Sequence, residues 1–238
     1  VNAAKSRCQI LACLLAVTGL LDCGVARAEG GPRSLDLQAS VTLTSDYRFR
    51  GISYSDGRPA LQGGVALAQG SGWFGGVWSS LSLGRSRVGD EIDVYAGRSG
   101  RSGRLGYSLA AYAYVDGAVR RIDYAEFQAL LTRSFGGASL QLEASGAPKQ
   151  RRGTSGNLYL GATATIPLRD PQLSVTLHGG RENGFVLRKI DWEVGVAYTY
   201  SAVSLSASLV GSTRAAGRES TAGYKGGSGL VLSAVAAF

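Results

Sequence analysis

The 238-residue chain is 45% apolar and 18% charged, with 35 glycines, no methionine and a formal charge of +8. That apolar fraction excludes a disordered chain, and the glycines, about twice average usage, follow no triplet period of the collagen kind. Its three cysteines (Cys8, Cys13, Cys23) sit near the start and His178 is its one histidine, which excludes a disulfide framework, a later thiolate metal site and a His-cluster metal centre.

Residues 1–28 read as a cleaved secretory signal peptide. Lys5 and Arg7 precede an apolar run from Ile10 to Leu21, and Ala26-Arg27-Ala28 supplies a small-x-small cleavage site. The run falls short of the roughly 20 residues that a membrane helix needs. A lipoprotein reading through Leu20-Leu21-Asp22-Cys23 puts Asp22 where a small residue is wanted. Residues 29–238 are then an exported domain without cysteine.

That domain alternates with a period of two. Leu35, Leu37, Ala39, Val41, Leu43, Tyr47 and Phe49 share one face, with Ser45 off the pattern, while Asp36, Gln38, Ser40, Thr42, Thr44, Asp46, Arg48 and Arg50 share the other. Such spacing fits a strand and no 3.6-residue helix. A strand from Leu35 to Arg50 is long for a soluble protein, where about five or six residues is typical, and suits a tilted strand that crosses a bilayer.

Twelve strands are expected, over 35–50, 59–69, 73–83, 91–98, 105–115, 122–133, 138–145, 156–168, 172–182, 189–200, 203–212 and 227–238. The breaks between them alternate in length. Gly70–Gly72, Ser99–Arg104, Ser134–Gly137, Arg169–Pro171 and Ser201–Ala202 are short, whereas Gly51–Arg58, Gly84–Asp90, Asp116–Arg121, Gly146–Ser155, Asn183–Arg188 and Thr213–Gly226 are mostly longer. Short turns at one rim and long loops at the other predict an all-β, transmembrane, up-and-down antiparallel β-barrel in the outer membrane of a Gram-negative bacterium. Two rivals compete. Val194 to Thr213 carries no charge and could pass for a membrane helix, but Ser201-Ala202 fits a hairpin turn. A soluble β-sandwich also alternates, yet the strand number and the length of the first strand oppose it. The alternating ending, Leu230 to Phe238, is similar to the segment that outer-membrane barrels present to their assembly machinery, so Phe238 is expected to be read by it.

With alternate residues facing lipid, Tyr47, Phe49 and Trp192 fall at the long-loop ends of strands, and Trp73, Tyr107, Tyr198, Tyr200 and Phe238 at the short-turn ends. Two such girdles are what ring amphipathicity favours at headgroup level. The long loops are basic (Arg58, Arg85, Arg87, Arg120, Arg121, Lys149, Arg151, Arg152, Arg188, Arg214, Arg218, Lys225), a collar suited to outer-membrane lipid and phosphorylated lipopolysaccharide. Export, few loop aromatics and no recognition motif argue against nucleic acid. On the inward faces lie Asp46, Arg48, Arg50, Glu91, Asp93, Glu126, Glu143, Asp191 and Glu193. Rings of charge select ions by sign, and the excess of acids predicts cation preference. Alternatively, Arg48 and Arg50 pair with the carboxylates and plug the lumen, since buried charges need partners.

Residues Val41 to Ser80 carry Ser45-Asp46-Tyr47, Arg50-Gly51-Ile52-Ser53, Pro59-Ala60, Gln62-Gly63-Gly64, Gly76 and Trp78. Glu91 to Gly97 and Tyr124-Ala125-Glu126-Phe127 continue the pattern, although Arg98 stands where an aromatic would be expected. In these motifs the chain resembles the TorF-type outer-membrane porin family, also known as a Gcw-type family of exported proteins. The resemblance implies a porin-like barrel and brings neither catalytic residues nor a cofactor. As for enzymes, no Gly-x-Ser-x-Gly elbow is present, and His178 alternates with Val175 and Leu177 so as to face inward. The Asp191 and Glu193 pair has glycosidase-like spacing but is ordinary in a porin wall. Gly97 to Gly103 lacks the Gly-Lys-Ser/Thr ending of a phosphate loop and reads as a turn. The expected function is passive diffusion of small polar or charged solutes without cofactor or metal. A closed-lumen structural barrel is the alternative, and a barrel hydrolase the third reading.

Overall fold

Alternation along the chain becomes one closed sheet. The computed structural model describes residues 34–83, 90–116, 124–150, 156–184, 188–213 and 227–238. The expected signal peptide and much of the basic collar (Arg85, Arg87, Arg120, Arg121, Arg151, Arg152, Arg214, Arg218, Lys225) lie outside the described residues. In chain order the elements are β1 (Leu35–Thr44), the short β2 (Arg48–Phe49) and β3 (Ile52–Ser53), β4 (Ala60–Gln69), β5 (Trp73–Ser82), β6 (Glu91–Ser102) and β7 (Leu105–Asp116). They continue with β8 (Tyr124–Phe135), β9 (Ala138–Ala147), β10 (Asn157–Pro167), β11 (Leu173–Gly184), β12 (Arg188–Tyr200), β13 (Val203–Ser212) and β14 (Gly229–Ala237).

Strands β4 to β14 pair antiparallel with their sequence neighbours, and β1 pairs with both β4 and β14, closing a twelve-stranded barrel. At the seam Ser40 opposes Ala237 and Thr44 opposes Ser233. Beyond that register the Ala39 and Phe238 amides each donate to the other's carbonyl, at 3.1 and 2.9 Å. Closure removes every free edge of the sheet.

The pleat sorts the side chains. Leu37, Val41 and Leu43 on β1, Ile92 and Val94 on β6, Leu158 and Leu160 on β10, and Val194 and Val196 on β12 all face outward, exposed. An apolar surface encircling the molecule far exceeds what soluble monomers leave bare and is the lipid face of a membrane barrel. Inward lie Ser, Thr, Gln, Tyr and charged groups, together with a small cluster of Ala66, Tyr95, Ala110, Tyr112 and Tyr114 packed against Phe74 and Trp78. One sheet closed around a polar interior is not a sandwich. Val194 to Thr213, the rival membrane helix, is the β12–β13 hairpin, turning at Ser201-Ala202.

Two expected elements differ. β1 ends at Thr44 instead of Arg50: the Ser45 amide still donates to Leu232 O at 2.8 Å, after which the chain leaves the wall and enters the barrel. β6 runs on to Ser102 through most of the glycine-rich run expected to turn. Gly100 opposes Tyr107 on β7, and a Cβ there would collide with the Tyr107 ring, so this glycine makes room for a neighbour and the turn comes at Gly103 (φ +60).

Candidate lumen site

Residues 45–58 form an inward hairpin between β1 and β4. Arg50-Gly51 joins β2 to β3 with both φ positive (+48 and +79), the sign pattern of the two-residue turns that match strand twist. A left-handed arginine is disfavoured, so something must hold it. Gly51 has no alternative: a Cβ there would meet Gly211 O at 2.5 Å and Asp191 Cβ at 2.8 Å. Asp46 organises the base of the hairpin. Its Oδ1 accepts from Ser53 Oγ (2.6 Å) and Ser55 Oγ (3.1 Å), and its Oδ2 accepts from Arg48 Nε at 2.6 Å. Arg48 Nη1 then reaches across to Gly227 O at 2.8 Å, tying the hairpin to the entry of β14.

Arg50 is the centre of the site. Its guanidinium donates to Glu126 Oε1 and Oε2 (2.7 and 3.0 Å) and to Glu143 Oε1 (3.1 Å), and Glu182 lies 3.9 Å away. Its flat face covers the Tyr159 ring at 4.0 Å. Burial opposes the Arg50 charge, and the facing Glu126 and Glu143 outweigh it, holding the group above its ordinary pKa. Lys189 ties the backbone of the same residue, donating to Arg50 O at 2.5 Å, while Nζ pairs with Glu182 (2.9 Å) and Asp191 (3.4 Å). Arg50 and Lys189 thus face the four carboxylates of Glu126, Glu143, Glu182 and Asp191, an arrangement with surplus negative charge. The ring of His178 is fully engaged: Nδ1 lies 2.8 Å from Thr163 Oγ1, and Nε2 lies 2.9 Å from Tyr159 OH and 3.0 Å from Asp191 Oδ2. With both nitrogens occupied, this histidine is placed to position its neighbours.

Tyr47 and Phe49 do not face lipid. Once the chain turns inward at Ser45, the alternation of β1 no longer reports on the wall. Tyr47 is 3% exposed and donates to Glu91 Oε2 at 2.8 Å; burial first, then the Glu91 charge, raises its pKa. Its ring meets those of Tyr54 and Trp78, and Phe49 packs against Tyr54 and Tyr114. The other six aromatics (Trp73, Tyr107, Trp192, Tyr198, Tyr200, Phe238) are exposed on the outer side of the barrel or at its end.

The nine charged residues singled out in the sequence divide into two groups. Arg48, Arg50, Glu143, Asp191 and Glu193 line a cavity of about 130 Å³ whose remaining wall is rich in hydroxyls, including Ser40, Thr42, Ser206, Ser208 and Ser233. Asp46, Glu91, Asp93 and Glu126 do not line it; the first is consumed inside the hairpin and the others lie on β6 and β8. Sequence reasoning missed Glu182 and Lys189, although each shares the inward parity of a residue it identified, Glu182 with His178 and Lys189 with Asp191. It also missed Tyr159, whose buried ring carries the arginine.

A closed antiparallel barrel with an apolar outer wall and a charged, hydrogen-bonded lumen defines a porin-like transmembrane β-barrel. The chain belongs to the Gcw_chp family, described as "Bacterial protein of unknown function", which matches residues 28–234. Two solved structures share the fold. One is a membrane protein studied for the mechanism behind in-meso crystallization, 12% identical, with 85% of this chain and 83% of that one covered at a TM-score of 0.53. The other is the COG4313 outer membrane channel from Pseudomonas putida F1, 14% identical, with 88% and 98% covered at a TM-score of 0.50. Likeness at such identity speaks for the fold. No curated protein matches the chain.

Proposed function

We propose that this protein is an outer-membrane channel of the TorF-type porin kind, passing small polar or charged solutes by passive diffusion with a preference for cations. The observation that carries this reading is the lumen: every strand presents polar groups inward, and a hydroxyl-walled cavity lies beside the Arg50 hairpin. A polar interior of this type holds water. Carboxylates outnumber the basic groups around the constriction, and in a narrow low-dielectric passage that surplus attracts cations. Of these acids, Glu143, Asp191 and Glu193 border the cavity, so they are the ones assigned to selectivity. The basic loops are assigned to lipopolysaccharide, and Phe238 to the assembly machinery.

One observation favours a second reading, a barrel with a shut lumen. The Arg50 side chain is only 4% exposed and is held by three carboxylates, as a plug would be. Single-channel recording of refolded protein in a planar bilayer separates the two. Conductance steps in the wild-type chain support the channel, and silence above the lipid background supports the plug.

A further inference from the structure

The short-turn rim carries a basic patch that the lumen does not use. Arg98 projects outward from β6, following Val94 and Ala96 on the same face. Its strand partners are Trp73 on β5 and Leu109 on β7, both exposed, and its guanidinium lies 5.6 Å from the Trp73 ring centre. Arg133 projects outward from β8 between exposed Leu131 and Phe135, opposes Leu105 and lies 5.0 Å from the Phe135 ring centre. Arg101 and Arg104 are exposed close by, at the β6–β7 turn. Among the described residues none of these four arginines forms an ion pair. The patch is also one-sided. At the same rim the described ends of β12, β13, β14 and β1 present Tyr198, Tyr200, Val203, Phe238 and Leu35, with no lysine or arginine.

Arg98 and Arg133 stand in the apolar outer row, so lipid surrounds their stems. A long basic side chain there extends to the headgroup level, where a phosphate offers two oxygens to the planar guanidinium fork. We propose that β6 to β8 form a binding site for an acidic glycerophospholipid in the leaflet at the short-turn rim. Arg98 and Arg133 grip the phosphate region while Trp73, Tyr107 and Phe135 pack along the glycerol and upper acyl chain. The site rests on the membrane-spanning reading of the outer wall, and is independent of whether the lumen conducts.

Native mass spectrometry of the folded chain in neutral detergent, with equal phosphatidylglycerol and phosphatidylcholine, tests this. Retention is expected to favour phosphatidylglycerol, and the preference should fall about fivefold for each arginine removed, in R98Q, R133Q and the double variant. R181Q, on the outer face of β11 toward the opposite rim, should keep it. Equal retention of both lipids, or an undiminished preference in R98Q/R133Q, overturns the site while leaving the barrel intact. A chain that stays soluble without detergent and retains neither lipid overturns the membrane reading and the site with it.

Discussion

Replacing Arg50 by alanine removes the residue that fastens the hairpin to the far wall. Its guanidinium sits 2.7 Å from Glu126, 3.1 Å from Glu143 and 3.9 Å from Glu182, and stripping one member from such a buried arrangement costs about 3–5 kcal/mol. The lower end is expected on the channel reading, in which lumen water rehydrates the freed carboxylates. Arg50→Gly loses the same pairs but relieves the left-handed φ, which costs an L-residue roughly 1–2 kcal/mol, so it should be the more stable of the two. The assay is paired: thermal unfolding of the folded barrel in detergent, and single-channel conductance. Both variants should melt below wild type, with Arg50→Gly above Arg50→Ala, and both should conduct in larger steps because the hairpin is released. Adding Glu126→Gln to Arg50→Ala should recover part of the lost stability. Unchanged melting and unchanged conductance in Arg50→Ala would refute the idea that this arginine pins a constriction.

Three further outcomes follow from the same geometry. Gly51→Ala places a Cβ 2.5 Å from Gly211 O in a left-handed residue, so it should cost about 1–3 kcal/mol and also enlarge the conductance; a silent phenotype would mean that the hairpin tip does not touch the wall. Tyr47→Phe removes a hydrogen bond to a carboxylate, worth about 1.5–3 kcal/mol, and should lower the melting temperature, whereas a tyrosine facing lipid would leave it unchanged. Glu193→Gln should shift the reversal potential in a salt gradient toward that of an unselective pore, more than Asp93→Asn does; equal shifts, or none, would remove the cavity carboxylates from selectivity.

Strand periodicity made the barrel legible because a wall between lipid and water imposes a strict in–out pattern on every strand. Eleven of the expected strands differ from the observed ones only at their ends or, for β6, by an extension through a glycine-rich run. The exception, at residues 45–58, is where the site lies. Period-two reasoning assumes that the chain stays in the sheet, and a segment that folds into the lumen can alternate for reasons of its own. The break at Ser45 was the visible signal, and Arg50-Gly51 was the turn. The motif residues Asp46, Tyr47, Arg50, Gly51, Ile52 and Ser53 that mark the family resemblance are those that build the hairpin. Lumen pairings were not legible in the same way. Arg50 joins β8, β9 and β11 across the barrel, and no local pattern reports which inward acids meet when a sheet closes. Lys189 was obscured for a related reason, since it reads as the start of a strand beside a basic loop and becomes a buried cation only once the hairpin carbonyl is placed above it.

The most direct measurement is the current carried by the folded wild-type chain in a planar bilayer under a salt gradient. Discrete steps with a cation-favouring reversal potential are predicted, smaller than those of Arg50→Ala under the same conditions. Barrel-folded protein that carries no current, as wild type and as Arg50→Ala alike, would contradict the claim that this lumen is a passage.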